Sequence, residues 1–369
     1  MSWTLVLSSV LMGGILCAFS VLYLLSPNPR PPTGPEQCYQ DYTHLAALIK
    51  EEQEHEKKLK DHQATLSSSP SPAGPSNKKA KKIAGGATRS EKYKAQLPRL
   101  PRTADEGTPE KSLSVVVPAY NESERLPIMM KETLDFLKAR SQRDPQFTYE
   151  ILIVDDGSQD STVRVALEIA QQEHNSDIRV VSFEKNRGKG GAVAQGMQYT
   201  RGKYILMVDA DGATRFSDLD QLEVKLKEVE QGGLGVAVGS RAHLVETDAV
   251  VKRSFIRNFL MYSFHKVVYV LGIRGIDDTQ CGFKLFTRET AKAIFPNMHV
   301  EGWVFDIEVL MIAQRLGIPI AEVPVAWQEI DGSKVSLMTD SIQMALDLLI
   351  IRMSYILGIW TTQSIKKTK

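Results

Sequence analysis

Tyr204-Ile205-Leu206-Met207-Val208-Asp209-Ala210-Asp211-Gly212 is an apolar run that ends in two carboxylates. The run reads as a buried strand, so Asp209 and Asp211 sit at a strand terminus with one residue between them. Carboxylates placed there can share a cation. Oxygen-only ligands suit Mg²⁺ or Mn²⁺, which in turn hold phosphate oxygens such as those of a nucleotide diphosphate-sugar. An Asp-x-Asp pair also occurs in ordinary turns, so its meaning depends on what surrounds it.

Around it, from about Ser112, short apolar runs alternate with amphipathic stretches. Leu113–Val117, Glu150–Val154, Ile178–Phe183, Tyr204–Val208 and Gly235–Gly239 read as strands. Glu124–Ala139, Thr162–His174, Gly190–Thr200 and Asp218–Glu230 read as helices. This alternation predicts an α/β fold with a largely parallel sheet, whose ligands gather at the carboxyl ends of the strands.

Each of those ends carries groups suited to a ligand. The first strand leads into Val117-Pro118-Ala119-Tyr120-Asn121-Glu122; the chain is expected to turn at the proline, Tyr120 offers a flat face to a base and Glu122 an acceptor. The second leads into Val154-Asp155-Asp156-Gly157-Ser158, which serves equally as an Asx turn and helix cap. Lys185-Asn186-Arg187-Gly188-Lys189-Gly190-Gly191 follows the third. Its glycines permit close backbone approach to a ligand, the following helix offers N–H groups, and Arg187 and Lys189 add positive charge. It lacks the spacing of a Walker loop.

A net charge of +1 gives no reason to expect a nucleic-acid partner. Three cysteines, Cys17, Cys38 and Cys281, match neither a zinc pattern nor a paired framework. Residues 1–27 carry no charged side chain, and Leu5 to Leu25 is long enough to cross a bilayer. The absence of a basic n-region favours a retained anchor over a cleaved signal peptide. Arg30 and Lys50 follow the span and none precedes it, which puts the rest of the chain in the cytosol. The expected organisation is an anchor over 1–27, a polar helix and low-complexity linker over 28–111, a catalytic domain over 112–335 and an amphipathic helix over 336–369. Within the linker, the lysine cluster of residues 78–82 reads as a solvated charge run or a contact for anionic lipid.

Taken together, Val-Pro-Ala-Tyr-Asn-Glu, Val-Asp-Asp-Gly-Ser, Asn-Arg-Gly-Lys-Gly and Asp-Ala-Asp-Gly resemble, in order and spacing, the inverting GT-A nucleotide-sugar glycosyltransferases, over roughly Ser112 to Lys334. The runs Gly239-Ser240-Arg241-Ala242-His243, Asp277–Phe286 and Glu301–Glu308 are similar to those of the eukaryotic dolichyl-phosphate glucosyltransferases within that class. The 28–111 stretch is longer than that family suggests.

The resemblance implies a GT-A, Rossmann-like domain and transfer of glucose from UDP-glucose to dolichyl phosphate at the endoplasmic reticulum membrane, for N-glycan precursor assembly. It implies that Pro118, Tyr120, Glu122 and Asp156 hold base and ribose. Asp211 would be the direct ligand of Mg²⁺ or Mn²⁺, Asp209 would face the nucleotide or the metal, and Lys189 would help bind the donor. Arg241 is the expected clamp for the acceptor phosphate, with Lys284 and Lys334 as further candidates, because guanidinium and ammonium groups pair with phosphate. Asp278 is a candidate base or sugar-orienting group beside Asp277 and Gln280. Trp303 is expected to pack, and Asp306 and Glu308 to be polar helix positions. Lys252 to Leu271 and Leu337 to Trp360 are read as interfacial or core-packing helices. Two other readings stay open: transfer of mannose from GDP-mannose to the same acceptor, and an inactive nucleotide-sugar-binding scaffold.

Overall fold

A computed structural model describes residues 26–33, 35–50, 107–244, 275–330 and 339–362, with a few isolated positions besides. The Leu5–Leu25 span apart from Leu24, the lysine-rich linker, Lys252–Leu271 and Lys334 lie outside the described residues. Among the described residues no helix is long and apolar enough to cross a membrane.

The described strands are β1 (Lys111–Ala119), β2 (Tyr149–Asp155), β3 (Ile178–Ser182), β4 (Gly202–Val208), β5 (Val236–Ser240), β6 (Phe283–Thr287) and β7 (Ile320–Pro324). They form one sheet in the order β3-β2-β1-β4-β6-β5-β7. Four of its pairings are parallel, and β6 runs antiparallel to both β4 and β5. This is a GT-A-like α/β fold.

Strand alternation sorts the core into two layers. Val116, Leu152, Val154, Ile205 and Met207 face one side, where they meet α3 (Lys189–Met197), α5 (Arg288–Ile294), α6 (Phe305–Arg315) and α7 (Thr339–Ile356). Val115, Val117, Ile151, Ile153, Leu206 and Val208 face the other, against α1 (Leu126–Arg143), α2 (Thr162–Gln172) and α4 (Leu219–Val229). A period of two on strands covered on both faces makes nearly every position apolar, hence the near-continuous hydrophobic runs.

One expectation needs correction, and β6 and β7 are not among the strands read from the sequence. The chain does not turn at Pro118: β1 continues through it to Ala119, with Pro118 opposite Val154. The proline is tolerated because pairing with β4 has already ended at Val116–Met207, so no ladder hydrogen bond is lost on that side. β6 also reads from the sequence only as part of a motif, because a five-residue strand preceded by Cys281-Gly282 has no alternation of its own.

The helix expected near Leu337–Trp360 is present as α7, and it packs on the core. Leu348, Ile351, Tyr355 and Trp360 are buried, while Leu346, Leu349 and Ile356 stay exposed. Tyr355 Oη donates to Glu308 Oε1 at 3.1 Å, and Trp360 stacks on His299 with centroids 4.2 Å apart.

Candidate functional site

The strand order reverses about β1, with β2 on one side and β4 on the other, which is where a doubly wound sheet opens a crevice at its carboxyl end. A cavity of about 600 Å³ lies there. It is lined by residues following β1 (Tyr120, Glu122, Arg125), β2 (Asp156), β3 (Asn186, Gly188, Lys189), β4 (Asp209, Asp211) and β5 (Arg241), and by Pro118, Gln280, Trp303, Asp306 and Trp327.

Asp209 stands at the end of β4. Lys189 Nζ lies 2.7 Å from Asp209 Oδ1 and donates to Oδ2 at 2.9 Å. Only the second contact has hydrogen-bond geometry; Oδ1 is buried without a hydrogen-bond partner. On the opposite side is Gly282, whose carbonyl accepts from the Asp209 amide at 3.1 Å. A Cβ built on Gly282 would fall on the Asp209 carboxylate, so only glycine leaves room for it. Asp211 closes an Asx turn, accepting from the Ala213 amide at 2.9 Å across Gly212. Burial, then the nearby Asp209 charge, raise its pKa above the usual carboxylate range.

These two acids fit a hard cation. The donor set is oxygen only, one buried oxygen lacks a partner, and a second carboxylate is held back from ionising by burial and its neighbour, all of which a bound Mg²⁺ or Mn²⁺ would relieve. Among the described residues no group of three or more His, Cys, Asp or Glu could hold a metal alone. Diphosphate oxygens and water would have to complete the shell.

Asp156 does more than line the cavity. Its Oδ1 accepts from the Arg187 amide at 2.6 Å and its Oδ2 from the Gly188 amide at 2.8 Å. Burial raises its pKa to about 6, against the opposing effect of those two N–H groups. The Gly191 amide donates to the Glu301 carbonyl at 3.1 Å. Three N–H groups of the glycine loop are therefore spent on the protein, which corrects the expectation of an open anion cradle. Gly188 adopts φ +89°, and a Cβ there would lie 2.5 Å from the Glu301 carbonyl oxygen. Arg187 points away from the cavity, whereas Lys189 points into it.

At the end of β5, Arg241 donates from Nε and Nη2 to Asp278 at 2.7 and 2.9 Å, and its amide donates to Asp278 Oδ2 at 2.9 Å. Its guanidinium lies 5.5 Å from the Trp327 ring centroid. Asp278 itself does not line the cavity. Burial alone would raise its pKa, but the Arg241 hydrogen bonds outweigh it and hold the carboxyl below its ordinary range. A carboxylate so engaged is a poor base, which corrects its proposed role as one; it orients Arg241 instead.

Lys284 is the other correction. Its side chain is 1% exposed, and its ammonium donates to Asp306 Oδ1 at 2.5 Å and to the Cys281 carbonyl at 2.6 Å, so it cannot meet a phosphate in the cavity. Asp306 is a helix position, as expected, but more than a polar one: it is buried, lines the cavity and shares the field of Lys189 and Lys284. Glu308 is buried too, accepting from the His299 and Val300 amides. The signal was available, since Asp306 and Glu308 interrupt an otherwise apolar helix. Trp303 is partly exposed at the cavity wall. Arg125, Asp306 and Trp327 were not assigned to the site from sequence. Arg125 makes a bidentate pair with Glu122, at 2.8 and 2.6 Å, which engages the acceptor expected for base or ribose.

Residues 114–295 match the Glycosyl transferase family 2. Dolichyl-phosphate beta-glucosyltransferase of Dictyostelium discoideum is 55% identical over 252 residues, 68% of this chain and 77% of that protein. The chain belongs to the dolichyl-phosphate beta-glucosyltransferase family. The Homo sapiens member is 50% identical over 276 residues, 74% of this chain and 84% of that protein. Among solved structures, glucosyl-3-phosphoglycerate synthase of M. tuberculosis aligns over 66% of this chain and 81% of its own, at 21% identity and a TM-score of 0.44.

The Gly282–Asp209 contact yields a prediction for this family's cavity. Gly282→Ala should displace the Asp209 carboxylate and lower glycosyl transfer by about 10- to 100-fold, the usual cost of misplacing a site group by an ångström. A transfer assay paired with far-UV circular dichroism checks this, the spectrum staying that of the wild type.

Proposed function

We propose that the chain transfers glucose from UDP-glucose to dolichyl phosphate, releasing UDP and dolichyl β-D-glucosyl phosphate, on the cytosolic face of the endoplasmic reticulum membrane. The observation that carries this reading is one cavity holding Asp209, Asp211 and Lys189 beside an Arg241 locked in place by Asp278. Membership of a family whose curated members carry that name supports it.

The acceptor oxygen belongs to a phosphate monoester and is already largely anionic near neutral pH, so a strong general base is unnecessary. The site must instead bring two anions together and align them. Arg241, always charged and held by Asp278 through Nε and Nη2 and by Trp327, is suited to meet the acceptor phosphate with the Nη1 side of its guanidinium. Lys189 and Arg125 place positive charge beside Asp209 and Asp211. Those two acids would hold Mg²⁺ or Mn²⁺, which when bound supplies charge neutralisation to the diphosphate and favours UDP as leaving group. Tyr120 and Pro118 wall the end of the cavity assigned to base and ribose, with Glu122 and Asp156 fixing the turns behind it. The acceptor oxygen attacks the anomeric carbon in line: its bond to carbon forms as the bond to UDP breaks, turning an α-linked donor into a β-linked product.

The membrane side of the proposal is supported by the uncharged Leu5–Leu25 run and by Leu346, Leu349 and Ile356 exposed on α7.

Transfer measured in detergent with dolichyl phosphate tests the donor and the acids together. UDP-glucose is expected to serve and GDP-mannose not, with transfer abolished by EDTA and lowered at least ~100-fold in Asp211→Asn, about 2.7 kcal/mol of barrier. Transfer from GDP-mannose alone would overturn the assigned sugar, and UDP binding without transfer would favour the scaffold.

Asp156 gives a pH dependence. As pH falls through about 6 its carboxylate takes up a proton, one oxygen stops accepting, and the Arg187–Gly188 turn loosens. The KM for UDP-glucose should therefore rise as pH falls from 7 to 5, and the rise should flatten in Asp156→Asn.

A further inference from the structure

Residues 26–33 and 35–50 run as a strap along the outside of the domain. Gln40 and Val180 exchange backbone hydrogen bonds of 2.7 Å in both directions, so the strap pairs with the edge strand β3. Leu45 is buried in the core beyond it. Between Arg30 and Glu36 the strap reaches the back of the glycine loop, on the side away from the cavity.

The contact centres on Arg187. Its side chain is 6% exposed. Nη1 donates to Glu36 Oε2 at 2.9 Å, Nε and Nη2 donate to Glu301 Oε1 at 3.0 and 2.5 Å, and Nη2 also donates to the Arg30 carbonyl. Arg30 Nε donates in turn to Glu301 Oε2 at 3.0 Å, and its Nη2 to the Asn186 carbonyl at 3.3 Å. Glu36 is itself fixed, its Oε2 accepting from the Thr33 amide at 2.8 Å and its carbonyl from Gln195 Nε2 at 3.3 Å. Two carboxylates and two guanidiniums thus close around a turn whose amides, on the other side, are held by Asp156 and by the Glu301 carbonyl.

We propose that Glu36, acting through Arg187, and Arg30, acting through its own side-chain bonds to Glu301 and the Asn186 carbonyl, set the conformation of residues 186–191 and are positioning residues for donor binding. The claim rests on the donor reading above. Neither residue lines the cavity. The effect of Glu36 is conveyed by one buried guanidinium: without it, Arg187 keeps a buried charge with fewer acceptors, and the cost is relieved only if the turn carrying it moves. Ser26 directly follows the apolar Leu5–Leu25 run in the sequence. An anchored N-terminus is therefore continuous in the chain with the segment that shapes the donor loop.

The test uses the full chain in detergent. In Glu36→Gln, amide hydrogen exchange at Arg187, Gly188 and Gly191 should accelerate about tenfold without any ligand, the scale of losing one charge-assisted hydrogen bond. Exchange in β1 and β4 should stay as in the wild type. The KM for UDP-glucose should rise about tenfold, with kcat and the KM for dolichyl phosphate within about twofold. Arg30→Ala, at the exposed edge of the cluster, should move the same amides and the same KM about threefold, and it decides the matter alone if Glu36→Gln fails to fold. Unchanged loop exchange in the folded variants would overturn the strap's control of the loop, whatever the donor. Faster loop exchange with an unchanged UDP-glucose KM would separate the donor from this loop and overturn the positioning role. A kcat loss with both KM values unchanged would do the same.

Discussion

The Asp209 carboxylate is confined from two sides, by the Lys189 ammonium on α3 and by the bare Cα of Gly282 at the start of β6. Each wall comes from a different part of the fold. Lys189 depends on the glycine loop after β3, and Gly282 on an antiparallel strand inserted between β4 and β5. Pairing of β6 with β4 therefore builds the sheet and also sets where a carboxylate ends up. With Asp209 fixed, one of its oxygens is left buried without a partner, next to Asp211, whose ionisation is opposed by burial and by Asp209 itself. A site prepared in this way stores unfavourable electrostatics that a cation and its diphosphate would relieve, which is how preorganised sites work.

The charges behind that pair alternate. Asp209 faces Lys189, Lys189 lies in the field of Asp306, and Asp306 is bonded to Lys284. Buried ions of this kind persist because each has an opposite neighbour. Across the cavity, Arg241 is kept in place by Asp278 and Trp327 while still reaching the cavity wall. A division of labour follows: Asp278 and Lys284 hold other residues, and Asp209, Asp211, Lys189 and Arg241 face the space where two anions would meet.

Much of this was legible in the chain, for physical reasons. Strands covered on both faces are continuously apolar, so β1 to β5 and the helices between them stood out, and with them the rule that ligands collect at strand ends. Asp209, Asp211, Asp156, Lys189 and Arg241 all follow such strands and all line one cavity. Side-chain direction was not legible. Arg187 and Lys189 are two residues apart in one loop, yet one turns outward to Glu36 and the other inward to Asp209. Lys284 and Asp278 sit in a motif rich in ligand-like residues, but burial of β6 and the bidentate hold on Arg241 direct them to neighbours instead. Nor could spacing reveal that residues 30–36 reach a loop some 150 positions later, since that contact is made by side chains of a segment joined to the sheet edge at one backbone bridge.

The most direct measurement is calorimetric titration of UDP into the full chain, with and without Mn²⁺, in the wild type and in Asp209→Asn. The account predicts binding that requires the metal and is weakened at least ~100-fold in the variant, because the confined carboxylate is proposed to help hold the cation that carries the diphosphate. Equal affinity with and without Mn²⁺, unchanged in Asp209→Asn, would contradict it.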